Sequence, residues 1–133
     1  MKFVLILLVA ILIQADERFV LVGNHNFPVD KLSKFQIKQI YLKKARFIDG
    51  VAITPINYQA QNLLRKRFEK SIFSMSQKRL KRYWLKEHYL GRRAPVVQKS
   101  IKSALLFVVR VDGAVAYVPY SQADVDVKIL YEE

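Results

Sequence analysis

The sequence contains no cysteine, and only two histidines and four glycines stand among its 133 residues. Without cysteine there are no disulfides, no thiolate metal sites and no lipid-modified amino terminus, so the fold has to rest on packing. His25 and His88 lie far apart and outside any HExxH pattern, and neither a Gly-x-Ser-x-Gly motif nor a glycine-rich phosphate loop is present. These absences argue against an enzyme, and we predict no catalytic residue, no metal site and no cofactor.

An apolar run opens the chain. Lys2 precedes unbroken apolar residues at positions 3–13, and Ala15 stands just before the first charged cluster. This is the layout of a secretory signal peptide, and the run is too short for a membrane-spanning helix, which needs about 20 residues. We predict a signal peptide over residues 1–15, cleaved near Ala15, and a single domain over residues 16–133 that is exported to the periplasm or secreted. Membrane contact is expected only through an uncleaved leader.

Positive charge is concentrated in the middle of the chain. The formal net charge is +12, and between positions 65 and 93 the cations face only two acidic residues, Glu69 and Glu87. A surface of this kind attracts polyanions such as nucleic acid, anionic lipid or acidic polysaccharide. The predicted basic surface consists of Arg65, Lys66, Arg67, Lys78, Arg79, Lys81, Arg82, Lys86, Arg92 and Arg93.

Within that basic region, the stretch KRYWLKEHYLGRRAP, residues 81–95, mixes cations with aromatic rings. On a helix, Leu80, Tyr83 and Trp84 fall within about 100° of arc, and the cations occupy the remaining faces. A small domain needs such an arc for its core, so we predict that the rings point inward and the charges outward. Buried rings cannot stack on bases, which argues against a nucleic-acid partner.

The spacing of apolar residues predicts strands that alternate with helices. Strands are expected at residues 18–23, 51–56, 114–118 and 125–129, with an extended segment at 95–97. Helices are expected after the Ser33–Gln36 capping box, from Ala60, after Ser74 or Ser76, and from Ser100. Alternating strands and helices predict an α/β domain with a largely parallel sheet.

Several short motifs occur in a characteristic order. They are VGNHNFP (22–28), QIYLKK (39–44), DGVAITPIN (49–57), RKRF (65–68), YW (83–84), GRRAP (91–95) and DGAVAYVP (112–119). In order and spacing they resemble the small exported proteins related to the phosphate-binding components of ABC transporters, which have the type II periplasmic-binding-protein fold. The resemblance implies a compact single α/β domain with a mainly parallel sheet flanked by helices, about half the length of a two-lobed binder.

The resemblance also implies a function, the non-enzymatic binding of a small oxyanion such as phosphate, accessory to transport or sensing. The anion would be held by backbone amides, helix amino termini and hydroxyls in one crevice at the carboxyl ends of the strands. An envelope protein, a transporter or a sensor, is the implied partner. The residues at the corresponding positions are Asn24, His25, Asn26, Tyr58, Gln59, Gln61, Asn62 and Ser100. The Ser-Gly-Thr-like group of the family is replaced by Gln59-Ala60-Gln61-Asn62.

Two alternatives stay open at this point. The same fold without a ligand would act as a protein-interaction module, with its basic face docked on an acidic partner protein or envelope polymer. A secreted cationic protein that binds nucleic acid or membranes is the other reading of the charge.

Overall fold

The computed structural model describes residues 17–133, so the predicted signal peptide lies outside the described residues. The strands are β1 (Phe19–Gly23), β2 (Phe47–Ile48), β3 (Val51–Ala52), β4 (Thr54–Asn57), β5 (Val96–Val97), β6 (Ala114–Pro119) and β7 (Lys128–Glu132). The α-helices are α1 (Lys34–Tyr41), α2 (Leu63–Phe73), α3 (Gln77–Tyr89) and α4 (Ile101–Arg110), and a 3-10 turn spans Tyr120–Gln122. None of these helices has the length and hydrophobicity to span a membrane.

Five strands form one sheet in the order β5-β4-β6-β1-β7, and β2 and β3 form a separate hairpin. β4 pairs in parallel with β5 and β6, whereas β1 pairs antiparallel with β6 and β7. Four of the five strands therefore point the same way, and β1 alone points the other way. The predicted α/β domain with a mainly parallel sheet is confirmed, and the reversed direction of β1 is the feature that the sequence did not reveal.

The sheet is covered on both faces. Every residue of β1, and every residue from Ala114 to Val118 in β6, is fully buried or nearly so. Successive side chains of a strand point to opposite faces, so burial of the whole strand requires packing on both sides. This explains why these two segments are continuous apolar runs rather than alternating ones.

An aromatic cluster, defined as Phe19, Tyr41, Tyr58, Phe68 and Tyr117, fills the core between the sheet and the helices α1 and α2. The Tyr117 ring stacks on Phe68 with centroids 3.9 Å apart and planes inclined by 6°. Tyr41 and Phe19 contact Phe68 edge-on at 4.8 Å and 5.4 Å. Aromatic pairs of this kind add about 1 kcal/mol each beyond the area that they bury.

The three tyrosine hydroxyls of the cluster all donate hydrogen bonds inside the core. Tyr41 donates to the Ile56 carbonyl at 2.9 Å, Tyr58 donates to the Tyr117 carbonyl at 2.7 Å, and Tyr117 donates to Asn57 Oδ1. Burial removes the phenolate from water, and this desolvation is the main cause that raises the pKa of each of the three well above its ordinary value. The cluster is therefore stable only while its hydroxyls stay protonated.

Two element boundaries differ from the predictions. The segment predicted as one strand over 51–56 is divided, because its two parts pair with different strands. β3 pairs with β2 across a tight turn in which Asp49 and Gly50 adopt positive φ, whereas β4 pairs with β5 and β6. The last strand begins at Lys128, not at Val125, whose side chain is 87% exposed. The alternation of apolar residues before β7 therefore led to a wrong prediction of where this strand begins.

The helix starts follow their capping residues. Ser33 and Gln36 form the predicted capping box, Ser76 caps α3 and Ser100 caps α4. α2 begins at Leu63 rather than at Ala60, because Asn62 is its N-cap. On α4, Ala104 and Val108 are buried, whereas Val109 is 46% exposed.

The inward orientation predicted for the α3 aromatics is correct, but their full burial is not. Leu80 is buried, whereas Tyr83 and Trp84 are half-buried and pack against the edge of the core. Tyr83 donates its hydroxyl proton to the Leu42 carbonyl at 2.6 Å. The reason is that α3 lies at the periphery of the domain, so only one side of each ring meets the core.

Two helices end in the same backbone motif with different residues. After α1, Lys43 takes φ of 62° and donates to the Ile40 carbonyl, and the next amide donates to the Gln39 carbonyl. After α3, Gly91 takes φ of 76° in the equivalent position, with matching hydrogen bonds. This is the Schellman motif, in which glycine is the usual left-handed residue. Lys43 therefore holds a conformation that is unfavourable for any residue with a Cβ.

We expect substitutions at these two positions to change the free energy of unfolding in opposite directions. Lys43→Gly should raise the free energy of unfolding by about 1 kcal/mol because it relieves the left-handed strain, and Gly91→Ala should lower it by about the same amount. No atom lies within 4 Å of a Cβ built on Gly91, so the cost there comes from the backbone alone. Urea denaturation measures both, and a destabilised Lys43→Gly variant would contradict this interpretation.

A second expectation concerns alkaline pH. An unfolded tyrosine ionises near pH 10, and the folded pKa of Tyr41 is higher, so the stability that this group contributes is present below about pH 10 and is lost as pH rises above it. Tyr41→Phe should make the fall of the free energy of unfolding above pH 10 shallower, by up to about 1.4 kcal/mol per pH unit. Exposed Tyr120→Phe is the matched control, and equal slopes in the two variants would refute the assignment.

Candidate functional site

Two loops meet at the carboxyl edge of the parallel strands. β4 ends at Asn57 and β5 ends at Val97, and these two residues are register partners. The Gln98 amide donates to the Asn57 carbonyl at 2.9 Å, which holds the segments leading to α2 and α4 side by side. This edge therefore brings together two of the three loops predicted to form the crevice.

The third predicted loop lies at the opposite end of the sheet, beside the amino ends of the parallel strands. β1 runs against the parallel strands, and its last residue, Gly23, pairs with Val115 near the beginning of β6. Asn24, His25 and Asn26 follow at that edge, so the predicted convergence of all three loops in one crevice is wrong. The physical reason is the reversed direction of β1.

The side chain of Asn24 fastens this distal loop to the end of α4. Its Nδ2 donates to the carbonyls of Val108 and Val109 at 2.8 Å and 3.0 Å, and its Oδ1 accepts from the Asn26 amide at 2.7 Å. His25 and Asn26 are exposed, and Asn26 Nδ2 lies 3.4 Å from the Asp112 carboxylate. The Asn24 amide is thus committed to internal bonds.

The other predicted ligand residues divide into buried, capping and exposed groups. Tyr58 is buried in the aromatic cluster, and Gln59 and Gln61 are exposed. Asn62 Oδ1 accepts from the Arg65 amide at 3.0 Å, and Ser100 Oγ caps α4 in the same way. What remains for a ligand at α2 is its backbone, because the first amides of a helix have no intrahelical acceptor.

A groove of about 590 Å³ runs beside the first turns of α2, between that helix and α3. We call it the α2 groove. Its lining carries three cations and one carboxylate, with the single tryptophan of the sequence at its side. The lining residues are Ala60, Arg65, Glu69, Gln77, Lys78, Leu80, Lys81 and Trp84.

Arg65 is held in a fixed orientation inside this groove. Its NH1 donates to the Tyr58 carbonyl at 2.8 Å, and its Nε lies 3.3 Å from Glu69 Oε2. Glu69 is only 4% exposed, so the pair is shielded from water. Sequence reasoning placed Arg65 on the outer basic surface, and the spacing of four residues to Glu69 was the signal that an ion pair orients it.

Asn57 is a second residue that the sequence analysis missed. Its Oδ1 accepts hydrogen bonds from the Tyr117 hydroxyl and, at 2.9 Å, from the Tyr58 amide. It is buried at the end of β4, and it joins the aromatic cluster to the loop that opens α2. An asparagine that ends a predicted buried strand was the available signal.

The predicted basic surface is not one uninterrupted face. Arg67 pairs with Glu133 at 2.7 Å, and Arg92 pairs with Glu87 at 3.0 Å. Arg65 pairs with Glu69 at 3.3 Å, and the other seven members of the set are exposed, namely Lys66, Lys78, Arg79, Lys81, Arg82, Lys86 and Arg93. Charge available for a partner is therefore concentrated on α3 and the segment after it.

Four acidic side chains of the described residues form ion pairs. Glu69, Glu87 and Glu133 each pair with an arginine, and Asp30 pairs with Lys128. Within residues 17–133, no three histidine or carboxylate side chains come together as metal ligands.

Comparison with known proteins connects the chain with one group of solved structures. No protein-family model matches it, and no curated protein matches it. Two structures superpose with a TM-score of 0.70 at 18% identity over 86% of this chain, one described as a phosphate ABC transporter substrate-binding protein with bound phosphate from Clostridium perfringens, the other as an ABC-type phosphate transport receptor from Vibrio cholerae. A third, described as a phosphate-binding protein from Planctomyces limnophilus, superposes with a TM-score of 0.62 at 12% identity.

This chain spans 44%, 45% and 40% of the length of those three chains. At such identities the likeness concerns the fold, and it confirms the fold that the motifs predicted. The protein thus has the α/β fold of phosphate substrate-binding proteins, in a chain of less than half their length.

Proposed function

We propose that this protein is an exported, non-enzymatic binding protein that recognises a small oxyanion such as phosphate in the α2 groove. The carrying observation is that α2 begins at the carboxyl edge of the parallel strands with Arg65, Lys78 and Lys81 beside its first turns. A helix amino terminus attracts oxyanions because its free amides point at the ligand and its dipole favours negative charge. The phosphate-binding descriptions of the solved proteins with this fold support the ligand class.

Each element of the groove has a distinct role in this proposal. The amides of Leu63 and Leu64 donate to the anion, and the Arg65 guanidinium, oriented by Tyr58 and Glu69, supplies a directed charge. Gln59 and Gln61, which are exposed in the loop that leads to α2, would add longer amide donors. Glu69 offsets one of the three cations, which leaves a net positive charge suited to an anion with one or two negative charges.

The α2 groove is a surface groove between two helices and is not an enclosed cavity. A ligand held on one side keeps part of its hydration, so we expect a dissociation constant of about 1 mM, which corresponds to about −4 kcal/mol. A transporter or sensor in the envelope that covers the open side would raise this affinity.

The proposal predicts a local response to phosphate. Titration of the purified protein with phosphate should change Trp84 fluorescence and shift the backbone amide resonances of residues 59–65, while the amides of residues 24–26 stay unchanged. Both readouts should saturate with the same dissociation constant.

Two variants distinguish binding in the α2 groove from binding at the loop of residues 24–26. Lys78→Ala combined with Lys81→Ala should weaken phosphate binding about tenfold, since each removes a charge from the groove. Asn26→Ala, at the opposite edge, should leave binding unchanged. Phosphate shifts confined to residues 24–26, or no saturable response at all, would refute the site.

A second function is favoured by one observation on α3. Its outer face exposes Leu85, Tyr89 and the capping residue Leu90 among unpaired cations, with Tyr89 83% exposed. This combination suits docking on an acidic partner protein or envelope polymer. If the protein shows no phosphate response but binds an acidic polymer in a salt-sensitive way, this interaction role replaces the first.

A further inference from the structure

A second concentration of charge lies where α1 and α3 end. The segments that follow these two helices line a pocket of about 330 Å³. We call it the cap pocket, formed by Lys43, Arg46, Gly91, Arg92 and Arg93. Four of its five residues are cations, none is acidic, and none belongs to the α2 groove.

The backbone at this pocket is strained in one specific place. Both walls are Schellman turns, and the left-handed position is Gly91 in one and Lys43 in the other. Glycine would remove the strain at position 43, yet the chain places a long cationic side chain there. Residues in unfavourable backbone conformations cluster at active sites and ligand-binding sites, so the conformation of Lys43 motivates a functional hypothesis for the pocket that it lines.

The charges of the cap pocket repel one another. Partial burial lowers the pKa of the Lys43 ammonium, and the nearby Arg46 guanidinium lowers it further. Arg92 is paired with Glu87, with its Nε 3.0 Å from the carboxylate. The partial negative charges at the two helix carboxyl termini attract these cations, but that attraction does not require a lysine in a left-handed conformation.

We propose that the cap pocket binds a compact oxyanion with at least two adjacent phosphate groups, the chemical class of pyrophosphate. Lys43, Arg46 and Arg93 would share its oxygens, while Arg92 remains on Glu87. Guanidinium groups donate two parallel hydrogen bonds to phosphate, and an ammonium adds a point charge. The pocket is at the small end of ligand-sized pockets, which favours a compact ligand.

The ligand has two chemical sources, a free diphosphate or a phosphorylated lipid headgroup. The shared feature is the cluster of phosphate oxygens, so pyrophosphate is the first probe for both. Vesicles of phosphatidylcholine with and without diacylglycerol pyrophosphate, a lipid whose headgroup carries two adjacent phosphates, then distinguish the sources. Sedimentation with the diacylglycerol-pyrophosphate vesicles that free pyrophosphate abolishes assigns the pocket to a headgroup. No sedimentation with these vesicles assigns it to the free anion.

The decisive experiment is calorimetric titration of the purified protein with pyrophosphate. The wild-type protein should bind it about tenfold more tightly than monophosphate, and Lys43→Gly should weaken pyrophosphate binding about tenfold. Exposed Lys102 on α4 provides the matched control, because Lys102→Ala removes the same charge elsewhere and should leave the affinity unchanged.

Lys43→Gly also separates this site from misfolding and from the α2 groove. The variant should unfold at a higher temperature than the wild-type protein while losing pyrophosphate affinity, and its Trp84 response to monophosphate should persist. Absence of pyrophosphate binding by the wild-type protein would overturn the proposal, and so would wild-type affinity in Lys43→Gly. Failure of the α2 groove alone appears as a lost Trp84 response with pyrophosphate binding retained.

Discussion

The structure depends on the buried contact between Tyr117 and Phe68. Their stacked rings join the central strand β6 to α2, and the Tyr117 hydroxyl reaches Asn57 at the end of β4. Tyr58, the next residue, returns a hydrogen bond from its hydroxyl to the Tyr117 carbonyl. These contacts form a closed set that connects the sheet, the helix and the loop between them, so a change in one displaces the others.

The packing of the core fixes the positions of the residues at the start of α2. An anion at a helix amino terminus needs its donors fixed to within about 0.5 Å, and loops alone do not achieve this. Here the aromatic cluster fixes the start of α2, and the carbonyl of Tyr58 fixes Arg65 in turn. Packing in the core therefore determines the geometry of the charged groove, although no residue of the aromatic cluster lines it.

The cations of the chain lie in several different environments, which include ion pairs, pockets and an exposed helix face. Arg67 and the acidic carboxyl-terminal residue Glu133 form a pair that closes the end of the chain onto α2. The α2 groove, the cap pocket and the exposed face of α3 hold most of the other cations of the basic region. A net charge alone indicates attraction to anions, whereas this division shows that the cations lie on separate parts of the surface.

Short-range signals in the sequence correctly predicted the helix starts, which depend on short-range interactions. Capping residues such as Ser33, Ser76 and Ser100 marked helix starts correctly because the interaction that they make spans only three residues. The direction of β1 was not predictable, because a short strand buried on both faces carries the same apolar run in either direction. That one tertiary property moved Asn24 and its neighbours away from the predicted crevice.

Other errors have the same origin. Trp84 lies on the inner side of its helix as the wheel predicted, but the extent of its burial depends on how far α3 reaches over the core. The left-handed Lys43 breaks the usual preference for glycine, and no pattern in the flanking residues marks it.

We propose that an anion binds to this protein at the carboxyl ends of the parallel strands, at the start of α2. Crystals of the protein grown with selenate or tungstate, oxyanions whose heavy atoms give anomalous scattering, test it directly. The account predicts an anomalous peak within hydrogen-bonding distance of the Leu63 and Leu64 amides and of the Arg65 guanidinium. A peak beside residues 24–26 with none at α2 would contradict it.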